Sequence, residues 1–212
     1  LYNFDAVRDA LKTLMDGDGL ARSNSRITLC ASGVAPMMVH ADTELIFSFG
    51  RMTLPEGADP QNILFLPPID TAIFNNLDNP LDTQRNGILL YPGRHQAALS
   101  QYPELAAEAT LITYGWPESH EALAELLRRS EVVYCFESTA IAAEAALCGC
   151  PAVILPSPFF NGVALSEVEI GRNGIALNDS PEEVAFARRT VGLMWDAYQA
   201  AYQDALARTS TE

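Results

Sequence analysis

The stretch FESTAIAAEAALCGCPAVI, residues 136–154, decides how this sequence folds. It begins at the end of one apolar run, Val132–Phe136, and it ends inside a second one, Pro151–Leu155. Between them, Ser138–Leu147 has the composition of a helix that ends at Gly149, and its apolar residues lie on nearly every side. A buried helix between two buried strands predicts a parallel sheet that is covered on both faces.

The same alternation of short apolar runs and helices extends in both directions from this stretch. Gly87–Tyr91 and Ala109–Tyr114 are further strand-like runs, and Ser119–Arg129 is helical. A last helix opens with the capping sequence Ser180–Glu183, and its pattern predicts that it runs on to about Leu206. We therefore predict an α/β fold, with a Rossmann-like parallel sheet flanked by helices, over residues 81–212.

Residues 1–80 form a smaller part with a pattern of its own. Phe4–Met15 has the apolar spacing of an amphipathic helix. Three strand-like runs follow it, at Arg26–Ala31, Glu44–Phe49 and Asn62–Leu66. The connection Asn75–Asn86, which is rich in Asn, Asp and Pro, marks the predicted boundary. We interpret residues 1–80 as a small or truncated N-terminal α/β part.

The composition excludes several functional classes. Hydrophobic residues make up 49% of the chain, which is enough for a core, yet no apolar run is long enough to span a bilayer. The formal net charge of −14 repels phosphate backbones, so no nucleic-acid partner is predicted. The first residues lack the basic start of a signal peptide, and the four cysteines have no zinc-like spacing. We expect a cytoplasmic protein with buried, reduced cysteines and no metal.

Three strand ends carry the candidate binding residues. In an open parallel sheet, ligands lie outside the carboxyl ends of the strands. Those ends are Gly93-Arg94-His95, Gly115-Trp116-Pro117 and Glu137-Ser138-Thr139. Ser138 or Thr139 is expected to cap the helix that follows. The unpaired amides around Ala140 would then form an anion site suited to a diphosphate.

Two glutamates near this helix are candidates for contact with a sugar and a nucleoside. Glu137 stands at the strand exit, where a carboxylate could meet a sugar. Glu144 lies about two turns further on, where it could accept hydrogen bonds from ribose hydroxyls. The alternative is that Glu137 is a surface partner of the cap and Glu144 a solvated helix residue. The apolar neighbours of Glu144 argue against a solvated position.

The stretch at residues 136–154 resembles the donor-site signature of GT-B glycosyltransferases. In that family, a strand exit with a Glu leads into a helix with a second Glu, and a Gly-x-Pro sequence then leads into a buried strand. Residues 89–94, LLYPGR, are similar to the strand-then-Gly-Arg element that opens the family's donor domain. Residues 63–74 resemble the segment just before that domain. The resemblance covers roughly residues 63–192.

This resemblance implies a role for each matching residue. Glu144 would bind the donor ribose, and amides of Ser138, Thr139 and Ala140 would hold the phosphates. Glu137 would face the transferred sugar as the catalytic residue, and Arg94, which follows Gly93, would pair with the diphosphate. Six residues separate the two glutamates, whereas retaining members commonly have seven, so retention or inversion stays open.

Other residues leave more than one interpretation open. Trp116 could stack on the nucleotide base or pack inside the protein. His95 could reach phosphate or sugar, or it could be a bystander. Asp16 and Asp18 superficially match a metal-binding DxD motif, but they lie between glycines at a helix end and are typical of a turn.

We therefore predict a metal-independent glycosyltransferase of polysaccharide biosynthesis, which uses a nucleoside-diphosphate sugar as donor and no cofactor. The acceptor would be a saccharide or a lipid-linked molecule; peripheral membrane association and the oligomeric state stay open. Either the acceptor half is reduced, or the chain is only the donor-binding part. The alternatives are a non-catalytic nucleotide-sugar-binding module, and a sugar-nucleotide epimerase or hydrolase on the same fold.

Overall fold

A computed structural model describes residues 27–30, 45–48, 63–65, 69–77, 81, 83–158, 160, 162 and 170–209. The chain divides into two compact units. One unit spans Ile69–Ala197 together with Leu1, and the other combines Tyr2–Pro68 with Tyr198–Glu212. Each unit is described by itself below. The boundary expected near residue 80 stays a prediction.

The N-terminal unit contains a small parallel sheet. Its strands are β1 (Ile27–Cys30), β2 (Leu45–Ser48) and β3 (Ile63–Phe65), in the order β1-β2-β3. Ile27 pairs with Leu45, and Ile46 pairs with Ile63. The three runs predicted as strands are therefore confirmed. The predicted helix Phe4–Met15, and Asp16 and Asp18 after it, lie outside the described residues.

The larger unit is built on a five-stranded sheet in which every described pairing is parallel. Its order is β5-β4-β6-β7-β8. The strands are β4 (Ile88–Tyr91), β5 (Thr110–Leu111), β6 (Val132–Cys135), β7 (Ala152–Ile154) and β8 (Ile175–Ala176). This confirms the Rossmann-like α/β architecture. The run Ala109–Tyr114 is a strand only at Thr110–Leu111, because Thr113 already pairs back to Trp116 in an antiparallel bridge.

Five helices are described in the chain. They are α1 (Pro103–Glu108), α2 (His120–Arg129), α3 (Ala140–Leu147), α4 (Pro181–Thr190) and α5 (Met194–Thr209). Two 3-10 segments are also described: Gln96–Gln101, just before α1, and Val191–Leu193, between α4 and α5. Along the described ranges, no helix has both the length and the apolarity that crossing a lipid bilayer requires.

The prediction of one unbroken last helix was wrong. The chain forms α4, tightens into the 3-10 turn Val191–Leu193, and continues as α5. The hydroxyl of Thr190 accepts a hydrogen bond from the amide of Gly174 at 3.0 Å. Gly192 has low helix propensity, and a Cβ at that position would lie 2.6 Å from the Leu81 side chain. Tertiary contacts at these two residues therefore override the local helical pattern.

The sheet is buried on both faces. Leu90 packs against the segment 96–109, and Val153 packs against Ala187 of α4. Leu90 and Val153 are both in register with Tyr134 of β6, so they share one face. Leu89, which points to the other face, is also buried, and α3 packs against β6 and β7. This arrangement explains why the strands are continuous apolar runs rather than alternating ones.

The order of the strands creates a crevice between β4 and β6. From β4 the chain passes to β5 on one side, and it then crosses back to β6 on the other side. The connections that leave β4 and enter β6 therefore diverge. In open α/β sheets, ligands bind at such a switch point, outside the carboxyl ends of the strands.

Candidate functional site

The carboxyl ends of β4 and β6 bring three of the predicted site residues into contact. Glu137 follows β6, and its carboxylate faces the loop after β4. Its Oε2 lies 3.4 Å from Nη2 of Arg94 and 3.2 Å from Nε2 of His95. Its Oε1 accepts a hydrogen bond from Nε of Arg94 at 3.4 Å. Arg94, His95 and Glu137, which we call the charged cluster, are therefore assembled at the switch point by neighbouring strands.

The two contacts of Glu137 differ in their exposure to solvent. The side chain of Arg94 is 74% exposed, whereas those of His95 and Glu137 are 14% and 17% exposed. An exposed ion pair contributes little free energy, because water competes for both partners. The contact between His95 and Glu137 is the shielded one of the two.

Gly93 is required by the backbone at this loop. Its φ is +54°, in the left-handed region that residues with a Cβ rarely adopt. A Cβ built there would lie 3.4 Å from Oε1 of Glu137 and 3.5 Å from Cε1 of Tyr91. These distances are ordinary van der Waals contacts, so it is the left-handed turn after β4 that requires the glycine.

The start of α3 leaves its first amides without a side-chain cap. Thr139 is the N-cap residue, but its hydroxyl makes no capping hydrogen bond. The Thr139 Oγ1 atom is buried and has no hydrogen-bond partner. Ser138 and Thr139 are half-buried and Ala140 is exposed, so protein does not close this helix end among the described residues. Unpaired amides at a helix start attract anions.

Two other helices show what a capped start looks like in this chain. The Ser119 hydroxyl accepts a hydrogen bond from the amide of Ala122 at the start of α2. The Ser180 hydroxyl accepts one from the amide of Glu183 at the start of α4. At α3 no described side chain does this: the amide of Ala142, at the equivalent position, donates to the backbone carbonyl of Thr139 at 3.1 Å.

Glu144 lies one turn into α3, among buried apolar residues. It is half-buried, and desolvation raises the pKa of its carboxyl group to about 7. Among the described residues, no hydrogen bond or ion pair to its side chain is found. Glu144 is therefore not a solvated helix residue. Its proposed contact with a ribose stays a prediction.

Exposed aromatic side chains lie beyond β5, next to β4. Trp116 is 43% exposed and Tyr114 is 68% exposed. The Tyr114 ring meets the Tyr91 ring edge-on, with 6.5 Å between their centroids. Desolvation, followed by the neighbouring Tyr114, raises the pKa of Tyr91 to about 12, so its phenol stays protonated at neutral pH. Trp116 is available at the same edge of the sheet as the charged cluster.

The sequence patterns missed three features of this site. The ring of Tyr91 borders the site, whereas in the sequence Tyr91 is marked only as the end of the apolar run before Gly93. The contact of His95 with Glu137 depends on β6 lying beside β4, which no local pattern reports. The Ser157 hydroxyl donates a hydrogen bond to the carbonyl of Phe136, which ties the loop after β7 to the end of β6.

Within the described part of the chain, no group of three or more His, Cys, Asp or Glu side chains is arranged to hold a metal ion. Cys135, Cys148 and Cys150 are buried free thiols. Burial raises the pKa of the Cys135 thiol to about 12, which suits a packing role.

Comparison with known proteins gives a short sequence match. No family model matches the chain. A stretch of 45 residues is 67% identical to the dual-specificity RNA methyltransferase RlmN of Zymomonas mobilis subsp. mobilis. This stretch makes up 21% of this chain and 12% of that protein. The match to RlmN of Rhizorhabdus wittichii has the same identity and covers 11% of that protein. The chain thus covers only about a tenth of these curated relatives.

Two solved structures resemble the chain weakly. One is assigned as a UDP-N-acetylglucosamine 2-epimerase from Listeria monocytogenes, with 15% identity and a TM-score of 0.38, over 77% of this chain and 53% of that chain. The other is the spinosyn rhamnosyltransferase SpnG, with 14% identity and a TM-score of 0.30, over 79% of this chain and 53% of that chain. Both TM-scores are below 0.5, so neither likeness supports a function for this chain.

Proposed function

We propose that this chain binds a nucleoside-diphosphate sugar and belongs to a glycosyltransferase that passes the sugar to a saccharide or lipid-linked acceptor. The observation that carries the proposal is the meeting of the charged cluster with the uncapped start of α3 at the switch point. Guanidinium and helix amides in one crevice suit a diphosphate. The resemblance of residues 136–154 to the GT-B donor signature supports the same assignment.

In this proposal, catalysis comes from holding the donor and stabilising the charge of the leaving diphosphate. Negative charge develops on the leaving phosphate oxygen as the bond to the sugar breaks. Arg94 and the amides of Ser138, Thr139 and Ala140 would stabilise that charge. Glu137 would orient the sugar, and Glu144 would accept hydrogen bonds from the ribose. Trp116 would contact the base.

A thermal-shift screen of nucleoside diphosphates and their sugars tests the proposal. A ligand that binds only the folded protein, at about 100 times its Kd, stabilises it by about 3 kcal/mol. We expect at least one diphosphate to raise the melting temperature without added magnesium, and the matching nucleoside to raise it less. Arg94→Gln should raise the Kd of the diphosphate about tenfold or more. Arg189→Gln, on the exposed side of α4, should leave that Kd unchanged. A flat screen would refute the proposal.

Product analysis separates the reactions open to such a site. With a radiolabelled donor sugar, a transferase yields a labelled acceptor, an epimerase yields a changed nucleotide sugar, and a hydrolase yields free sugar. A non-catalytic module retains the donor unchanged. We expect label on an acceptor, given the whole protein and a saccharide or lipid-linked acceptor.

RNA methylation is a second candidate, favoured by the 45-residue match to RlmN. That match covers about an eighth of the relative, and a net charge of −14 opposes binding to a phosphate backbone. Transfer of labelled methyl groups to RNA by the chain would support this candidate over the first. We expect no such transfer.

A further inference from the structure

The charged cluster contains a conflict that the proposed function must resolve. Arg94 is expected to bind a diphosphate, but in this structure both of its described bonds go to Glu137. Glu137 therefore occupies, in the ligand-free protein, the guanidinium that the donor would need. A carboxylate and a phosphate present similar acceptor oxygens to an arginine, so the two compete for it.

We propose that Glu137 holds Arg94 in the ligand-free protein and yields it to the diphosphate, while His95 keeps Glu137 in place. This inference rests on the proposed function. It makes His95 a positioning residue, which acts through Glu137 rather than on the donor itself.

The exposures of the three side chains indicate which contact breaks. The bonds between Arg94 and Glu137 are both 3.4 Å long, and Arg94 is largely exposed, so this contact is weak and exchanges readily. Nε2 of His95 lies 3.2 Å from Oε2 of Glu137, without the geometry of a hydrogen bond, and both side chains are mostly shielded from water. Breaking the shielded contact would leave a partly buried carboxylate without a partner, which is costly.

The surroundings of Glu137 also favour retention of its position. A Cβ added to Gly93 would lie 3.4 Å from Oε1 of Glu137 and 3.5 Å from Cε1 of Tyr91. The carboxylate thus lies close to the loop after β4, on a residue that directly follows the end of β6. After Arg94 turns away, Glu137 would remain at the crevice, beside the bound phosphates and ready to meet the sugar.

A double-mutant cycle tests the exchange. The probe is UDP, GDP or ADP, whichever raises the melting temperature most, and its Kd is measured by calorimetry with the full chain. We expect Glu137→Gln to tighten binding about two- to fivefold, the range for an exposed ion pair that no longer competes. In an Arg94→Gln background, Glu137→Gln should change Kd by less than about twofold. Equal tightening in both backgrounds would show simple charge repulsion and overturn the exchange.

Substitutions of His95 test its positioning role in the same assay. His95→Phe should raise the Kd of the probe about fivefold or more, because Glu137 then has neither partner once Arg94 turns to the diphosphate. His95→Gln, which keeps a polar nitrogen beside the carboxylate, should restore binding to near the wild-type value. Combined with Glu137→Gln, His95→Phe should have no further effect. His120→Phe on α2, which packs against Phe74, is the matched control and should leave Kd unchanged.

The possible failures are distinguishable. If none of the three diphosphates binds the wild-type chain, the proposed function fails. If one binds but Glu137→Gln leaves its Kd unchanged or weakens it, only the exchange fails. If His95→Phe behaves like His95→Gln, the exchange survives and the role of His95 is refuted.

Discussion

Replacing Glu144 with Gln should stabilise the folded protein at alkaline pH. Glu144 lies among the apolar residues of α3, and desolvation raises the pKa of its carboxyl group from 4.5 to about 7. A group whose pKa is raised on folding binds its proton more tightly in the folded state. The free energy of unfolding is therefore unaffected at acid pH and falls as the pH rises from about 4.5 to about 7.

The size of this effect follows from the pKa change. A rise from 4.5 to about 7 corresponds to about 3 kcal/mol once the pH exceeds both values. At pH 5 the unfolded state is only partly more ionised than the folded one, and the loss is about 1 kcal/mol. Gln is uncharged at both values. Glu144→Gln should therefore gain about 3 kcal/mol at pH 8, or roughly 6–12 °C in melting temperature.

Urea denaturation at pH 5 and pH 8 measures this difference directly. Glu131→Gln, a change at an exposed position before β6, is the matched control and should shift neither curve measurably. A gain for Glu144→Gln that is equal at the two pH values would contradict a desolvated carboxyl group. So would a loss of stability at pH 8. The stabilised variant should also bind the donor less tightly, because an amide replaces the carboxylate proposed to accept from the ribose.

Three further substitutions probe the loop, the helix ends and the aromatic edge. Gly93→Ala should destabilise the fold by about 1 kcal/mol in urea denaturation, because φ is +54°, where a residue with a Cβ is strained. Wild-type stability of this variant would contradict the required left-handed turn. Arg85→Met should lower the free energy of unfolding by about 1–3 kcal/mol, because the Arg85 guanidinium donates to the carbonyl of Cys148, at the end of α3, at 3.2 Å. A smaller loss than that of Arg189→Met would refute this role of Arg85. Trp116→Ala should raise the Kd of the nucleoside diphosphate, measured by calorimetry, about tenfold. The melting temperature should change little, because Trp116 is 43% exposed. An unchanged Kd would exclude base stacking.

Much of the fold could be predicted because the strands are buried on both faces. Val132–Cys135 and Ala152–Ile154 are apolar throughout, and the polar residues Glu137–Thr139 and the sequence Gly149-Cys150-Pro151 separate them from the equally apolar helix α3. The break between α4 and α5 could not be predicted in this way. It depends on the bond of Thr190 with Gly174, which lies sixteen positions earlier in the sequence.

The candidate site was only partly readable for a similar reason. The strand-end rule identified Arg94, His95 and Glu137 one by one, because each follows an apolar run. Their mutual contacts follow from the crossover that sets β6 beside β4, and strand order is not written in local periodicity. The sequence predicts Ser138 or Thr139 as the cap of α3; Thr139 is the N-cap residue, but its buried hydroxyl makes no capping bond.

The central claim is that the uncapped start of α3 binds the diphosphate of the donor, and amide chemical shifts report on it directly. In ¹⁵N–¹H spectra of the full chain titrated with UDP, GDP or ADP, the amides of Ser138, Thr139 and Ala140 should shift most. The amides of Ala122 and Glu183, which serine hydroxyls already cap, should stay in place. Saturable binding that moves the amides of other regions and leaves those at the start of α3 unchanged would contradict the claim.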